Sequence, residues 1–194
     1  MDTFIFDIET KDMYGGGSGK IISDLHPSVI CLYSYKRNEY VSFFEADFPK
    51  LKELLTEPAL LVGFSSNRFD LPILSRALNM VFDKHPRVDL AEEIEARTGR
   101  RIGLNTLALI NLGKGKTGHS AEAPQLFAEG RTEELKEYCL NDVLLTKELY
   151  DLIREKKQIK IPKKESVFSN QLGLFEKDKL QTVEVDLGSM LTFL

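Results

Sequence analysis

The sequence predicts a mixed α/β domain in which a strand-rich first part is followed by a mostly helical second part. Residues 3–64 hold short runs of β character, either alternating or wholly apolar, bounded by turn signals and interrupted by one helical run. Residues 68–156 carry mainly the 3.6-residue period of helices. Strands first and helices after is the pattern of a mixed domain rather than a regular βαβ alternation. The length of 194 residues suits one domain with a proper core and is short for two.

Thr3–Thr10 reads as the first strand, and Lys11–Lys20, with its glycines and serine, as a loop. Ser28–Tyr35 and Tyr40–Glu45 flank the turn Lys36–Glu39, so they form a hairpin and, with the first strand, an antiparallel meander of three. Phe48–Thr56 places Phe48, Leu51, Leu54 and Leu55 at helical spacing. Ala59–Phe64 is a short apolar run consistent with a buried strand. Helices are expected over Arg68–Met80, Ala91–Thr98 and Leu104–Leu112, with a short strand at His85–Leu90 and a glycine-rich loop at Gly113–His119. Thr132–Lys156 is the longest periodic stretch, with Glu133 and Glu134 in its first turn and Arg154 and Lys156 at its end. Ile159–Lys164 reads as a basic linker, and the short apolar pieces after it as edge strands or a tail that docks on a partner. The expected division is a domain over 1–161 and a linker and tail over 162–194.

Composition narrows the function. The 42% hydrophobic and 29% charged shares are those of an ordinary globular chain. A net charge of −4 argues against coating nucleic acid by bulk electrostatics, though not against gripping a strand end. Cys31 and Cys139 form no Cys-x-x-Cys pair, so structural zinc is not indicated and reduced buried thiols are the simpler reading. No apolar run reaches the length of a membrane span, and Asp2 and Asp7 interrupt what would be a signal peptide, so a cytoplasmic location is expected. Two Gly-Lys segments are not phosphate-binding loops: Gly19-Lys20 lacks the spacing, and Gly115-Lys116-Thr117 lacks both the spacing and a preceding strand.

The chemistry lies in the acids. Asp7 and Glu9 are two apart in a strand, so they share a face while Phe6 and Ile8 point the other way. Two like charges on one face repel, and a divalent cation is the usual compensation; a solvated strand end would tolerate the same pair. Asp70 opens a helix after the buried strand ending at Gly63, where α/β sites gather; a first-turn acid facing the helix dipole is the alternative. Tyr138 and Asp142 are four apart on the long helix and share a face, with Asp142 beside Leu140, Val143 and Leu144. A carboxylate there is expensive unless paired or bound to metal. Asp89 is a further acid at a strand end, a reserve candidate for the site; Asp at that point could also cap the following helix.

Taken in order, Phe6-Asp7-Ile8-Glu9-Thr10, Gly63-x6-Asp70 and Tyr138-x3-Asp142 resemble the motifs of the DEDD 3′–5′ exonuclease superfamily, in the subgroup with tyrosine in the last motif. Proofreading domains of family B DNA polymerases and small bacterial RNase H-like exonucleases share them. The resemblance runs from Asp2 to about Ile161. It implies an RNase H-like fold: a mixed sheet with strands 1–3 antiparallel, further strands parallel, and helices on its flanks. It implies phosphodiester hydrolysis with two divalent ions, Mg²⁺ or Mn²⁺, roughly 4 Å apart. Asp7 would bridge both ions, Glu9 and Asp142 would hold the nucleophile-side ion, and Asp70 would serve the leaving-group side. Tyr138 would orient the attacking water, its hydroxyl being too weak an acid at neutral pH to abstract a proton. Thr10, Phe64, Ser65, Asn67 and Phe69 would meet the substrate. Relatives commonly carry Asn two residues after the glycine; here that position holds Ser65, and Asn67 follows. His119 is not four or five residues before Asp142, where the histidine subgroup would place it, and is expected to be an ordinary loop residue.

The expected substrate is the 3′ end of a nucleic acid, with single-stranded DNA foremost, in repair or replication. An inactive nucleic-acid-binding accessory module and an RNase are the other readings. Lys114, Lys116, Arg97, Arg100, Arg101, Lys163 and Lys164 are candidates to flank a groove, and Phe64, Phe69 and Tyr14 to stack on a terminal base; core packing and a solvated charged face are the bland alternatives. Gln171-Leu172-Gly173-Leu174-Phe175 resembles the peptide by which bacterial replication and repair proteins bind the sliding clamp.

Overall fold

Strand β1 (Asp2–Thr10) takes the middle of a five-stranded sheet because its residues of both parities find apolar partners. Phe4, Phe6 and Ile8 enter one core cluster and Ile5 the other. The computed structural model describes residues 1–14, 20–118, 122–164 and 179–187. β2 (Pro27–Ser34) pairs antiparallel with β1 and with β3 (Glu39–Phe43), giving the expected meander. β4 (Ala59–Gly63) and β5 (Arg87–Asp89) add in parallel on the other side of β1, so the order is β3-β2-β1-β4-β5. Every residue of β2 and β4 is buried, as an apolar run between two covered faces requires.

Helices cover both faces. On the side of Phe4, Phe6 and Ile8, α1 (Phe48–Leu54) and α2 (Asp70–Leu78) supply Leu51, Leu71, Ile73, Leu74 and Leu78. On the side of Ile5, Val29 and Cys31, α4 (Leu104–Leu112) and the 25-residue α6 (Thr132–Lys156) supply Leu107, Leu135, Cys139, Val143 and Leu149. α3 (Leu90–Thr98) follows β5 directly. α6 crosses β1 and β2 on the face to which Ile5, Asp7 and Glu9 belong. Among the described residues, no helix is long and apolar enough to cross a membrane.

Four expectations are corrected. α2 begins at Asp70 rather than Arg68, because residues 66–69 form a turn closed by the bond from the Leu71 N–H to the Ser66 carbonyl (2.9 Å). It ends at Leu78 because Asn79 turns left-handed (φ +45°). A short helix, α5 (Ala123–Ala128), had not been anticipated; Pro124 in its first turn was the available signal. Residues 158–162 are not linker. Lys157 caps α6 in a left-handed conformation (φ +50°), and the chain continues as strand β6 (Gln158–Pro162), paired antiparallel with β7 (Leu180–Glu184). Alternation decides this: Ile159 and Ile161 point into the main core beside Val185 and Leu187, while Gln158 and Lys160 face out. The peptide Gln171–Phe175 and His119 lie outside the described residues.

The two readings of 158–162 separate in one measurement. Ile161→Ala should lower unfolding stability by about 2–5 kcal/mol, as a buried Ile-to-Ala truncation does, measured from the denaturant midpoint. A linker residue would leave the midpoint unchanged.

Candidate active site

β1 and α6 between them deliver three carboxylates to one place. Asp7 and Glu9 project from the same face of β1, and Asp142 comes from α6, which is packed on that face. Carboxylate oxygens of the three lie within 4.8 Å of one another. Asp70, at the first position of α2, stands outside this tight set but lines the same cleft, of about 880 Å³, together with Thr10, Phe64, Ser65 and Phe69. Met13 and Tyr14 lie at its exposed rim, and the Tyr14 ring meets Phe69 edge-on with centroids 5.6 Å apart.

Burial dominates the electrostatics, and the crowding of like charges adds to it. Burial first, and then the charge of Asp142, push the Asp7 carboxyl up to about 7. Burial, Asp7 and Asp142 hold Glu9 well above the usual carboxylate range. Asp70 is raised by burial and by Asp7 and Asp89. Asp142 is raised by burial although the Lys116 ammonium opposes it. Behind the cluster the Cys139 thiol donates to the Asp7 carbonyl (3.5 Å) and approaches its carboxylate (3.7 Å). Cys31, opposite Asp7 on β2, and Cys139 are both buried free thiols.

Tyr138 sits one helical turn from Asp142 but does not line the acid cleft itself. It borders the neighbouring groove with Gly118 and Glu122. Glycine is needed at 118: a Cβ there would lie 2.5 Å from a Glu122 carboxylate oxygen and 3.3 Å from the Tyr138 ring. Burial, then Glu9, Asp142 and Asp7, raise the Tyr138 hydroxyl above its ordinary range, so it stays protonated. That hydroxyl and Asp142 Oδ1 are both buried with no hydrogen-bond partner, in residues only 5% and 2% exposed. An orphaned donor and an orphaned carboxylate oxygen beside converging acids mark a place built for a ligand. The donors are hard oxygens, so the residues fit a divalent cation such as Mg²⁺ or Mn²⁺.

The loop that sets Asp70 depends on a different acid. Asp89 accepts the N–H groups of Ser65 (2.8 Å) and Asn67 (3.0 Å) and also caps α3 through Ala91 (3.0 Å) and Glu92 (3.2 Å). It therefore holds backbone rather than lining the cleft, so of its two readings the helix cap fits and the reserve site acid does not. Gly63 permits the close return of this loop, since a Cβ would come within 2.4 Å of Ser66. Ser65 adopts a left-handed conformation (φ +62°) and its hydroxyl accepts from Arg101 (3.3 Å). Asn67 is not brought into the cleft; its amide donates to Glu92 (2.7 Å).

The residue that sequence reasoning missed as part of the cluster is Lys116. It had been grouped with the groove-flanking bases, yet its ammonium hydrogen-bonds to Asp142 Oδ2 and lies 5.9 Å from the centre of the Tyr138 ring. Nothing local predicts this placement. Most other expected groove bases are engaged elsewhere: Lys114 with Glu148 (2.7 Å), Arg97 with Glu93 (2.8 Å) and Arg100 with the Pro162 carbonyl.

The comparisons fit this arrangement. The family model described as RNase_H superfamily matches residues 4–154. No curated protein matches the chain by sequence. Among solved structures, the family B DNA polymerase of the hyperthermophilic archaeon Pyrobaculum calidifontis superposes with a TM-score of 0.59 at 15% identity, over 78% of this chain and 24% of the polymerase. Escherichia coli exonuclease I in complex with a dT13 oligonucleotide gives 0.56 at 13% identity, over 80% of this chain and 41% of that one. The zinc-bound form of the E. coli exonuclease I–single-stranded DNA complex gives 0.52 at 13% identity, with the same coverage of both chains. The chain thus spans about a quarter of the polymerase and two fifths of exonuclease I, and at these identities the likeness is one of fold.

Two outcomes follow from the geometry. A carboxyl raised in the folded state binds protons the unfolded chain has released, so it removes stability as pH climbs from its ordinary value of 3.8 towards about 7. Metal-free wild type should therefore lose melting temperature relative to Asp7→Asn over that range, and saturating Mg²⁺ should abolish the difference. Asp89→Asn, which turns one acceptor into a donor facing the loop, should destabilise the fold by about 1–3 kcal/mol in chemical denaturation.

Proposed function

The chain belongs to the RNase H superfamily, and on that premise we propose that it is a metal-dependent 3′–5′ exonuclease of the tyrosine-bearing DEDD type, acting on single-stranded DNA in repair or replication. The observation that carries the reading is the convergence of Asp7, Glu9 and Asp142 beside two orphaned polar atoms, with Asp70 in the same cleft. The exonuclease fold of the structural neighbours supports it, as do the oligonucleotides bound to exonuclease I. Residues 1–161 would carry the catalytic groups, with β7, Val185 and Leu187 completing the core beside them.

Asp7, Glu9 and Asp142 would hold the cation or cations, with Asp70 serving the side of the leaving 3′ oxygen. Two bound Mg²⁺ or Mn²⁺ ions would stabilise the negative charge that phosphodiester hydrolysis builds on the attacking, leaving and non-bridging oxygens. The chain's own residues do the rest. Tyr138, kept protonated, donates its hydroxyl to the attacking water and aligns its lone pair on phosphorus. Ser65 and Thr10 meet the last sugar or phosphate from the cleft walls, and Phe64, Phe69 and Tyr14 hold an unpaired terminal base. An open rim with an aromatic pair suits a frayed or single-stranded end better than a duplex.

The test is direct. DNA and RNA single strands labelled at the 5′ end are incubated with Mg²⁺ or Mn²⁺, beside Asp7→Ala and Tyr138→Phe. The expected result is a ladder shortening from the 3′ end of DNA. Asp7→Ala should lower the rate by roughly 10³-fold, and Tyr138→Phe, which removes one hydrogen bond, by roughly 10–100-fold. Shortening of RNA alone would transfer the assignment to an RNase. No shortening of either polymer with either ion would leave an accessory nucleic-acid-binding module.

A further inference from the structure

Lys116 raises a question the hydrolytic reading does not answer. Its ammonium lies where a cation would neutralise the carboxylates, bonded to Asp142 Oδ2 beside Asp7 and Glu9. Among the described residues it is the one basic side chain that hydrogen-bonds to this cluster. We propose that Lys116 is a built-in counter-ion of the cluster, holding the carboxylates together when no divalent ion is present and yielding its place when one binds, so that it sets the affinity of the site for metal. The proposal rests on the ion-binding reading above and adds the residue that competes for the site.

The loop is built to deliver the ammonium independently of the carboxylates. The Lys116 N–H donates to Asn105 Oδ1 on α4 (2.9 Å), and the Thr117 N–H to Asn141 Oδ1 on α6 (3.3 Å). Glycines on either side let the backbone press close. A Cβ at 115 would lie 2.4 Å from Asn105 Oδ1, and one at 118 would lie 2.5 Å from Glu122. The main chain is thus pinned to two helices, and the freedom lies in the lysine's four-carbon stem.

Charge then decides the competition. Three carboxylates around one ammonium leave the cluster with a deficit of positive charge, which draws in a divalent ion. An ammonium and a divalent ion repel each other at contact distance in a poorly solvated cleft, so their occupancies are negatively coupled, and by linkage the coupling is reciprocal. The lysine therefore weakens metal binding and, in return, lets the metal-free protein tolerate its buried acids.

Mn²⁺ binding to the full chain tests this, measured by calorimetry and by the loss of the free-ion resonance, for wild type, Lys116→Met and Lys116→Arg. Lys116→Met should bind Mn²⁺ roughly tenfold more tightly, within the usual range of such couplings, and should melt lower in EDTA with a larger rise on adding Mn²⁺. Lys116→Arg, which keeps the charge, should stay near wild type. Should Lys116→Met fail to fold without metal, wild type alone supplies a second reading. Amine-directed labelling followed by mass spectrometry should show Lys116 protected in EDTA and labelled several-fold faster with Mn²⁺. Unchanged or weaker Mn²⁺ affinity in Lys116→Met, or labelling indifferent to the ion, overturns the proposal while leaving the nuclease reading intact. Absence of Mn²⁺ binding by both wild type and Lys116→Met overturns both.

Discussion

Three carboxylates crowded where their charges need a counter-charge govern this molecule. Asp142 is buried, Asp7 and Glu9 are half-buried, and their oxygens sit closer together than unneutralised anions tolerate. Three devices relieve that crowding: protons, the Asp7 carboxyl being pushed up to about 7 by burial and by the charge of Asp142; the ammonium of Lys116; or divalent cations. Only the last would leave every carboxylate ionised and, on the proposal above, the lysine released. The strain is thus an affinity in waiting, and the scaffold has to prevent the acids from simply moving apart.

The scaffold does so with its two most constrained elements. β1 is paired with β2 through Asp7 and Glu9, while its parallel ladder with β4 ends at Ile5, so the backbone of the two acids is held along the β2 edge and opens to the cleft on the other. α6 is fixed by Leu135, Cys139, Val143 and Leu149, all without exposed surface, and Asp142 lies between two of them along the helix. Pulling Asp142 back would open a cavity under the longest helix of the described chain. The third wall is softer. The loop carrying Ser65 to Asp70 has no ladder of its own; Gly63 allows its close return and the Asp89 carboxylate gathers its N–H groups. Two rigid walls hold the proposed ligands in register, and a loop clamped by one acid sets the side that meets the proposed leaving group.

Much of this was legible in the sequence, for identifiable reasons. Period-two alternation put Asp7 and Glu9 on one face, and the apolar stripe of residues 132–156 fixed the whole of α6, because both signals are local and strong. Asp89 was readable as a cap because a carboxylate just before a helix has a short-range use; that it also binds the Ser65 and Asn67 N–H groups is a long-range fact no spacing encodes. The same holds for Lys116. A lysine among glycines looks solvated, and its approach to Asp142 exists only after α4 and α6 have placed the loop. The linker expected over Ile159–Lys164 rests on Lys160, Lys163 and Lys164, whereas Ile159 and Ile161 alternate as a strand should. Periodicity is the better guide here, because a lysine on the exposed face of a two-stranded sheet costs little.

The electrostatics also bear on how such a chain would hold a polyanion. Its net charge is −4, and Lys114, Arg97 and Arg68 are neutralised by neighbouring glutamates rather than free to meet phosphates. The cleft floor adds four acids, Asp7, Glu9, Asp70 and Asp142, whose charge in the metal-free protein is offset by protons and by the Lys116 ammonium. A nucleic acid approaching the metal-free protein would find no surplus of positive charge where its terminal phosphate would sit. Apolar contact at the rim, from Tyr14 and Phe69, supplies no positive charge; bound cations would. On the exonuclease reading, the ion that would support hydrolysis would also favour the approach of a phosphate, so grip and chemistry would both be confined to the strand end that reaches the ion.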